Sequence, residues 1–241
     1  GTVDAWLIYK LNESLQTDVT NASRTLLFEL ESLNWNEQIL NEYNNPIESL
    51  PEIKPSLSNF GNCKNILNNV PITAVLGDQQ ASLFGQQCFN KGSVKNTYGT
   101  GCFALTNTGT EIIYSNNGLL TTVAYKYGDN EANYAIEGSV AIAGAGVQWL
   151  RDNLNLINNS DEIERFALQE KDNGGVYFVP AFSGLFSPHW DPTARGVLVG
   201  LSRFSNKNHI ARAVLESVAY QSYELIDSME KDIGIEFNEI K

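Results

Sequence analysis

The sequence is short of the features that would make it a disulfide scaffold, a membrane protein or a broad binder of anions. Its three cysteines, Cys63, Cys88 and Cys102, are an odd set without metal-ligand spacing, which excludes a disulfide framework and a zinc site. Such cysteines suit a reducing cytosol, so a cytoplasmic location is expected. No apolar run approaches the roughly 18–20 residues that a membrane-spanning helix needs. Positive charge is scarce: 16 Lys and Arg stand against 28 Asp and Glu, for a net charge of −12 and a pI near 4.6. Nucleic acid and anionic membrane surfaces should be repelled. A local anion site is still allowed, because backbone amides and helix N-termini bind phosphate without a basic surface. Methionine is almost missing too; the single one is Met229. The chain opens at Gly1-Thr2-Val3-Asp4, already inside an apolar pattern, and closes at Lys241 beside what reads as a strand start. Both ends read as cuts in a longer protein.

What is present is an ordinary globular composition, 42% hydrophobic, enough to bury a substantial core. The pattern predicts a short helix over 4–11 and helical spacing over 35–43. A connecting region over 44–70 is rich in Asn and Ser and broken by Pro46, Pro51 and Pro55. Pro71–Leu76 reads as a strand ending in a tight turn at Gly77-Asp78, followed by a helix from Gln80. Residues 94–107 alternate as two strands around Gly99-Thr100-Gly101. Residues 119–125 and 132–136 form a second hairpin, turning at Gly128-Asp129-Asn130. A helix is predicted over 138–157 from the spacing of Val140, Ala143, Val147, Leu150, Leu154 and Ile157. Strands follow at 176–181 and 196–201. The last helix runs over 208–232, with Gly234 at its C-cap. Mixed strands and long helices give an α/β fold.

Three stretches can carry chemistry. Asp78, beside a glycine at a strand end, can take a proton from a hydroxyl or help hold Mg²⁺; it can equally N-cap the next helix. Thr97-Tyr98-Gly99-Thr100-Gly101-Cys102-Phe103 leaves backbone amides unhindered around a threonine, as a phosphate cradle would, or as an ordinary hairpin turn would. Ala143-Gly144-Ala145-Gly146 places two glycines inside a helical pattern, each at a cost of roughly 1 kcal/mol. A flat ring lying on the helix or close helix packing would each explain them, and Gln148 would share the face of Gly144. The loop from Pro180 to Gly196 is long enough to suggest function. Within it His189 has no obvious partner. His209 is expected at the surface; Asp4 and Glu137 could be site carboxylates, although solvated or capping roles are the expectation.

Taken together, several segments resemble the glycerol kinases of the FGGY carbohydrate-kinase family. They are GTVDAWLI (1–8), TDVTNASRTLLF (17–28), GDQQASLFGQ (77–86), KNTYGTGCF (95–103), NGLLTT (117–122), YAIEG (134–138), AGAGVQWLRD (143–152), VPAFSGLFSPHWDPTARG (179–196) and HIARAVLESVAYQ (209–221). The resemblance implies an actin/hexokinase/Hsp70-like (ribonuclease H-like) two-domain kinase fold, incomplete at both ends. Residues 1–86 would belong to the first, glycerol-side domain and 87–241 to the second, nucleotide-side domain. It implies ATP with Mg²⁺, and glycerol as acceptor. Asp78 would be the general base and, through Mg-ATP, a metal contact. Asp78 and Gln79 would bond glycerol, and Phe103 would pack on its carbons. Thr100, Gly99 and Gly101 would contact the transferred phosphate, while Gly144 and Gln148 would line the nucleotide pocket. A homo-oligomer is compatible with the family. A kinase for another polyol or sugar, or a nucleotide-binding fragment without turnover, remain the alternatives. The family's N-terminal phosphate hairpin and its Asp-Gly-Gly adenine motif are absent from this sequence, so residues 1–241 alone are expected to be inactive. Asn65-Ile66-Leu67-Asn68-Asn69 lacks the Gly/Arg loop with which some bacterial members bind fructose 1,6-bisphosphate, so that feedback is not expected.

Overall fold

The central sheet is built by residues 94–140, where small and branched side chains alternate on strands buried on both faces. The computed structural model describes residues 1–64 and 67–241. Asn65 and Ile66, and with them part of the expectation about fructose 1,6-bisphosphate, lie outside the described residues.

The chain begins with α1 (Val3–Asn12), β1 (Gln16–Asp18), α2 (Val19–Ala22), β2 (Phe28–Glu29), β3 (Asn34–Trp35) and α3 (Glu37–Glu42). A 3-10 turn, Ile47–Ser49, leads to β4 (Glu52–Lys54), which pairs in parallel with β1. After α4 (Asp78–Gly85) come the four strands β5 (Val94–Tyr98), β6 (Cys102–Gly109), β7 (Leu120–Tyr125) and β8 (Asn133–Val140), antiparallel in the order β5-β6-β8-β7. Then follow α5 (Gly144–Asp152), α6 (Glu162–Ala167), β9 (Tyr177–Val179), β10 (Val197–Val199) and α7 (Lys207–Ile233). The predicted pair of late strands forms one antiparallel ladder, Val179 opposite Val197.

The sheet is covered on both sides, and the register decides what each side carries. Val94, Cys102, Ala104, Ile136 and Val140 meet Leu225 and Met229 of α7. Gly138 belongs to this face, and a Cβ there would lie 2.1 Å from Leu225 Cδ1, so the helix can lie this close only over a glycine. The opposite face packs Leu105 and Ala135 against Leu83 of α4. Register also places Lys95, Thr97, Phe103 and Glu137 on the α4 side, since Lys95 lies opposite Leu105, Thr97 opposite Phe103, and Leu105 opposite Glu137. The N-terminal end of α4 therefore looks onto a polar part of an otherwise apolar face.

The structure corrects four expectations. The helix expected from 138 starts at Gly144, because 138–140 pair with 102–104 and complete β8. It ends at Asp152, well before 157. Pro71–Leu76 is not a strand: it lies extended against 56–62, held by isolated bridges Asn62–Pro71 and Leu57–Ala74 without a continuous ladder. His209 is buried, at 1% exposure. It closes a capping box at the start of α7, its Nδ1 accepting from Asn206 N–H at 3.3 Å while Asn206 Oδ1 accepts from His209 N–H at 3.3 Å. Its Nε2 lies 3.6 Å from a Glu170 carboxylate oxygen. His189 has a partner after all, Glu224 of α7, at 3.3 Å. The predicted C-cap holds: Gly234 is left-handed, φ 70°, with its N–H on Glu230 O at 2.8 Å. No helix among the described residues is long and apolar enough to cross a membrane.

Candidate active site

A buried chain of hydrogen bonds sets the position of Asp78. Asp18, fully buried at the start of α2, accepts from Thr20 N–H, Thr20 Oγ1, Asn21 N–H and Asn21 Nδ2 at 2.7–3.0 Å. Burial pushes its carboxyl above the ordinary range, and these donors, with Ser56, hold it back. The Thr20 hydroxyl in turn accepts the Gly77 N–H at 2.8 Å. Gly77 is the N-cap of α4 by position, with extended backbone. A Cβ on it would fall 2.6 Å from Gln80 Oε1, and Gln80 is itself buried on Thr122 Oγ1. The residue before Asp78 is thus fixed from two sides.

Asp78 is the first residue of α4 and is exposed. Its side chain does not cap the helix; instead its Oδ2 accepts from Gln79 Nε2 at 3.1 Å. Gln79 Oε1 accepts from Lys95 Nζ at 2.5 Å, and the same ammonium donates to Thr97 Oγ1 and to the Phe103 carbonyl, both at 3.0 Å. Lys95 is 1% exposed. Burial depresses its pKa to about 8, against the pull of Glu137 and then Asp78. Phe103, on the same face of the sheet, keeps about a third of its surface exposed.

Glu137 is neither solvated nor a cap, as was expected of it. It is buried at mid-strand and takes both guanidinium nitrogens of Arg24, at 2.6 and 2.9 Å. Burial still raises its pKa, opposed by Arg24 and then Lys95, and Asp78 raises it further. Lys95 and Glu137 therefore act on each other, with Arg24 paired to Glu137 and the Asp78 charge felt by both. Asp4, the other carboxylate considered, accepts from Thr17 Oγ1 at 2.6 Å, outside this set.

The hairpin that carries Lys95 also carries the glycine turn. Gly99 N–H donates to Gly101 O at 2.8 Å. The turn's carbonyls then receive the start of α5: Ala143 and Ala145 N–H on Thr100 O at 2.8 and 3.1 Å, and Gly144 N–H on Gly99 O at 2.9 Å. A Cβ on Gly101 would lie 2.3 Å from Val140 O, and one on Gly144 2.6 Å from Gly99 O. Glycine at 144 is accordingly explained by close backbone packing at a helix start, not by an interior helix position. Gly144→Ala is expected to lower stability by roughly 1–3 kcal/mol and to shift the denaturation midpoint; an unchanged midpoint would contradict this account. Thr100 stands exposed at the tip. Beside it lies an open groove of about 430 Å³, lined by Tyr98, Gly99, Ala143, Gly144, Val147 and Val218 among others. Gln148 is exposed one turn after Gly144 and is not among its lining residues. A cavity of about 480 Å³, lined by Glu29, Trp35 and Glu37 among others, shares none of these residues.

The structure thus gathers Asp78, Gln79 and Phe103 around Lys95, and Gly99, Thr100, Gly101 and Gly144 around the turn. Lys95, Arg24 and Glu137 were not singled out in the sequence as a group. The sequence signal was incomplete: the predicted strands cover Lys95 but stop at 136, before Glu137, and the inward facing of both residues follows from the strand pairing.

Residues 1–85 match the N-terminal domain of the FGGY family of carbohydrate kinases, and 94–241 match its C-terminal domain. The chain belongs to the FGGY family of carbohydrate kinases. It is 54% identical to the glycerol kinase of Chloroflexus aggregans and 52% identical to that of Pseudarthrobacter chlorophenolicus, over 100% of this chain and 49% of each relative. The Plasmodium falciparum glycerol kinase solved with ADP superposes with a TM-score of 0.90 at 44% identity, over 98% of this chain and 48% of that one. The xylulose kinase of Lactobacillus acidophilus, at 22% identity and a TM-score of 0.81 over 93% of this chain and 46% of that one, shares the fold. The expected actin/hexokinase-like kinase fold is therefore correct. The chain spans about half the length of the curated relatives it matches.

Proposed function

We propose that this FGGY chain supplies the central half of an ATP-dependent glycerol kinase, which transfers the γ-phosphoryl group to a terminal hydroxyl of glycerol. The observation that carries the reading is that one hairpin ties the Asp78–Gln79–Phe103 group at Lys95 to the exposed glycine turn at Thr100. Identity of 50–54% to eight glycerol kinases supports glycerol over other acceptors. We further assign 1–86 to the glycerol-side domain and 87–241 to the nucleotide-side domain.

Phosphoryl transfer asks for alignment and charge neutralisation more than for covalent catalysis. Asp78, exposed and held by Gln79, would receive the proton of the attacking hydroxyl. Gln79 would donate to a glycerol hydroxyl, and Phe103 would cover the carbon chain. Backbone amides and the Thr100 hydroxyl at the turn would face the phosphate, while Gly144 and the apolar groove beside it would receive the nucleoside, with Gln148 at its edge. Among the described residues no three His, Cys, Asp or Glu side chains are placed to hold a metal ion. Mg²⁺ would therefore come with the nucleotide phosphates, with Asp78 as a carboxylate able to face it. The free, buried Cys63, Cys88 and Cys102 fit a cytoplasmic enzyme.

The test is an ATP-coupled assay of the full-length parent protein on glycerol, xylulose, ribulose and gluconate. Glycerol should give the highest kcat/KM; preference for a pentulose or gluconate would replace this acceptor, and no turnover on any would leave the non-catalytic reading.

A further inference from the structure

A lysine ammonium has three donors and no acceptor. At Lys95 all three are used inside the protein: on Gln79 Oε1, Thr97 Oγ1 and the Phe103 carbonyl. Because the ammonium can only donate, the Gln79 atom facing it has to be the amide oxygen. The amide nitrogen is then forced to the other side, where it meets Asp78 Oδ2 at 3.1 Å. The reversed amide would set Nε2 against Nζ, donor against donor, and Oε1 against a carboxylate.

We infer that Lys95 is a positioning residue for the acceptor site, locking the Gln79 amide so that its N–H₂ is presented to Asp78 and to the incoming hydroxyl. The inference rests on the reading of Asp78 and Gln79 as the acceptor site. A purely structural role explains the placement less well. Lys95 occupies a strand position facing α4, directly opposite Leu105 of β6, with Glu137 of β8 next in the same row across the sheet. An apolar residue would fill that position without the desolvation penalty that pushes the ammonium down to about 8, and Glu137 would keep both guanidinium nitrogens of Arg24 as its ion pair. What the ammonium adds is a tie between the residue next to Asp78 and the backbone of Phe103. Through Gln79, Lys95 in addition joins the 1–85 match to the 94–241 match at the proposed acceptor site.

A kinetic double-mutant cycle in the full-length parent protein tests this, with Lys95→Met, Gln79→Ala and the double variant compared with the unaltered enzyme. Lys95→Met should lower kcat/KM for glycerol by about 10-fold or more, as a misoriented contact does, with KM for ATP unchanged. In the Gln79→Ala background the same change should cost less than about 2-fold, because the amide through which Lys95 acts is already gone. Equal losses in both backgrounds, a loss shared by KM for ATP, or unaltered kinetics would each overturn the inference. If Lys95→Met yields no soluble protein, Lys95→Gln and Lys95→Arg are run through the same cycle with the same criterion. Asp78→Asn is assayed alongside. Near-normal turnover by that variant defeats the functional reading of Asp78, whereas additivity on an otherwise active enzyme defeats the role of Lys95 alone.

Discussion

Asp78→Asn in the full-length parent protein is expected to lower kcat by roughly 10²–10⁴, the usual contribution of a positioned general base, while glycerol KM changes far less. The substitution keeps the shape of the side chain and its place at the head of α4. The anchoring through Asp18, Thr20 and Gly77 does not involve the Asp78 side chain, so it survives. What is lost is the ability to take a proton. The Asp78 carboxylate also pulls the Lys95 pKa upward, so the Asn variant should hold Lys95 neutral to a lower pH. Initial rates under saturating ATP, on protein whose thermal midpoint matches the parent, separate chemistry from folding. Turnover within a few-fold of the parent would show that another group, or water, accepts the proton.

The place of Asp78 and Gln79 at the head of a helix, and of the glycine turn between two strands, was legible in the sequence because each sits in a run with local syntax, a glycine before a carboxylate or two glycines flanking a threonine; their roles came from the family resemblance. Lys95 and Glu137 were not legible, because a charged residue in an alternating strand pattern ordinarily faces water. Only the pairing of β5, β6 and β8 shows that these two point inward beneath α4. Arg24 is illegible for a related reason, since its partner lies 113 residues away. The false helix start has a different origin. Val140 falls at helical spacing from Ala143 and Val147, although it ends β8, and periodicity alone does not register a strand that stops three residues before a helix begins. His209 misled because a histidine near a helix start looks solvated, whereas its Nδ1 takes the role that Glu plays in a capping box.

Arg24→Ala should be the most destabilising of the single changes considered, by about 3 kcal/mol, at the lower end for breaking a buried ion pair because Arg24 is itself partly exposed. The loss comes less from the missing bonds than from the Glu137 carboxylate, which is left at mid-strand with Lys95 as its remaining cationic neighbour. The pH dependence has a definite sign. Burial already holds the folded Glu137 pKa above the unfolded value, and removing Arg24 takes away the first influence opposing it. A group whose pKa is raised on folding binds its proton more readily in the folded state, so its penalty is absent below the ordinary carboxyl range and grows as pH rises through the folded value. The deficit of Arg24→Ala should therefore be small in acid and full at neutral pH. Glu137→Gln removes the charge but keeps the shape, and frees a guanidinium that can reach water; its loss should be nearer 1–2 kcal/mol in acid and should shrink rather than grow as pH rises, since the variant lacks the group whose raised pKa costs the parent stability. Denaturant midpoints of the full-length parent protein and both variants at several pH values provide the measurement. A deficit for Arg24→Ala that does not change between acid and neutral pH would mean that the ion pair is not what holds Glu137 ionised under α4.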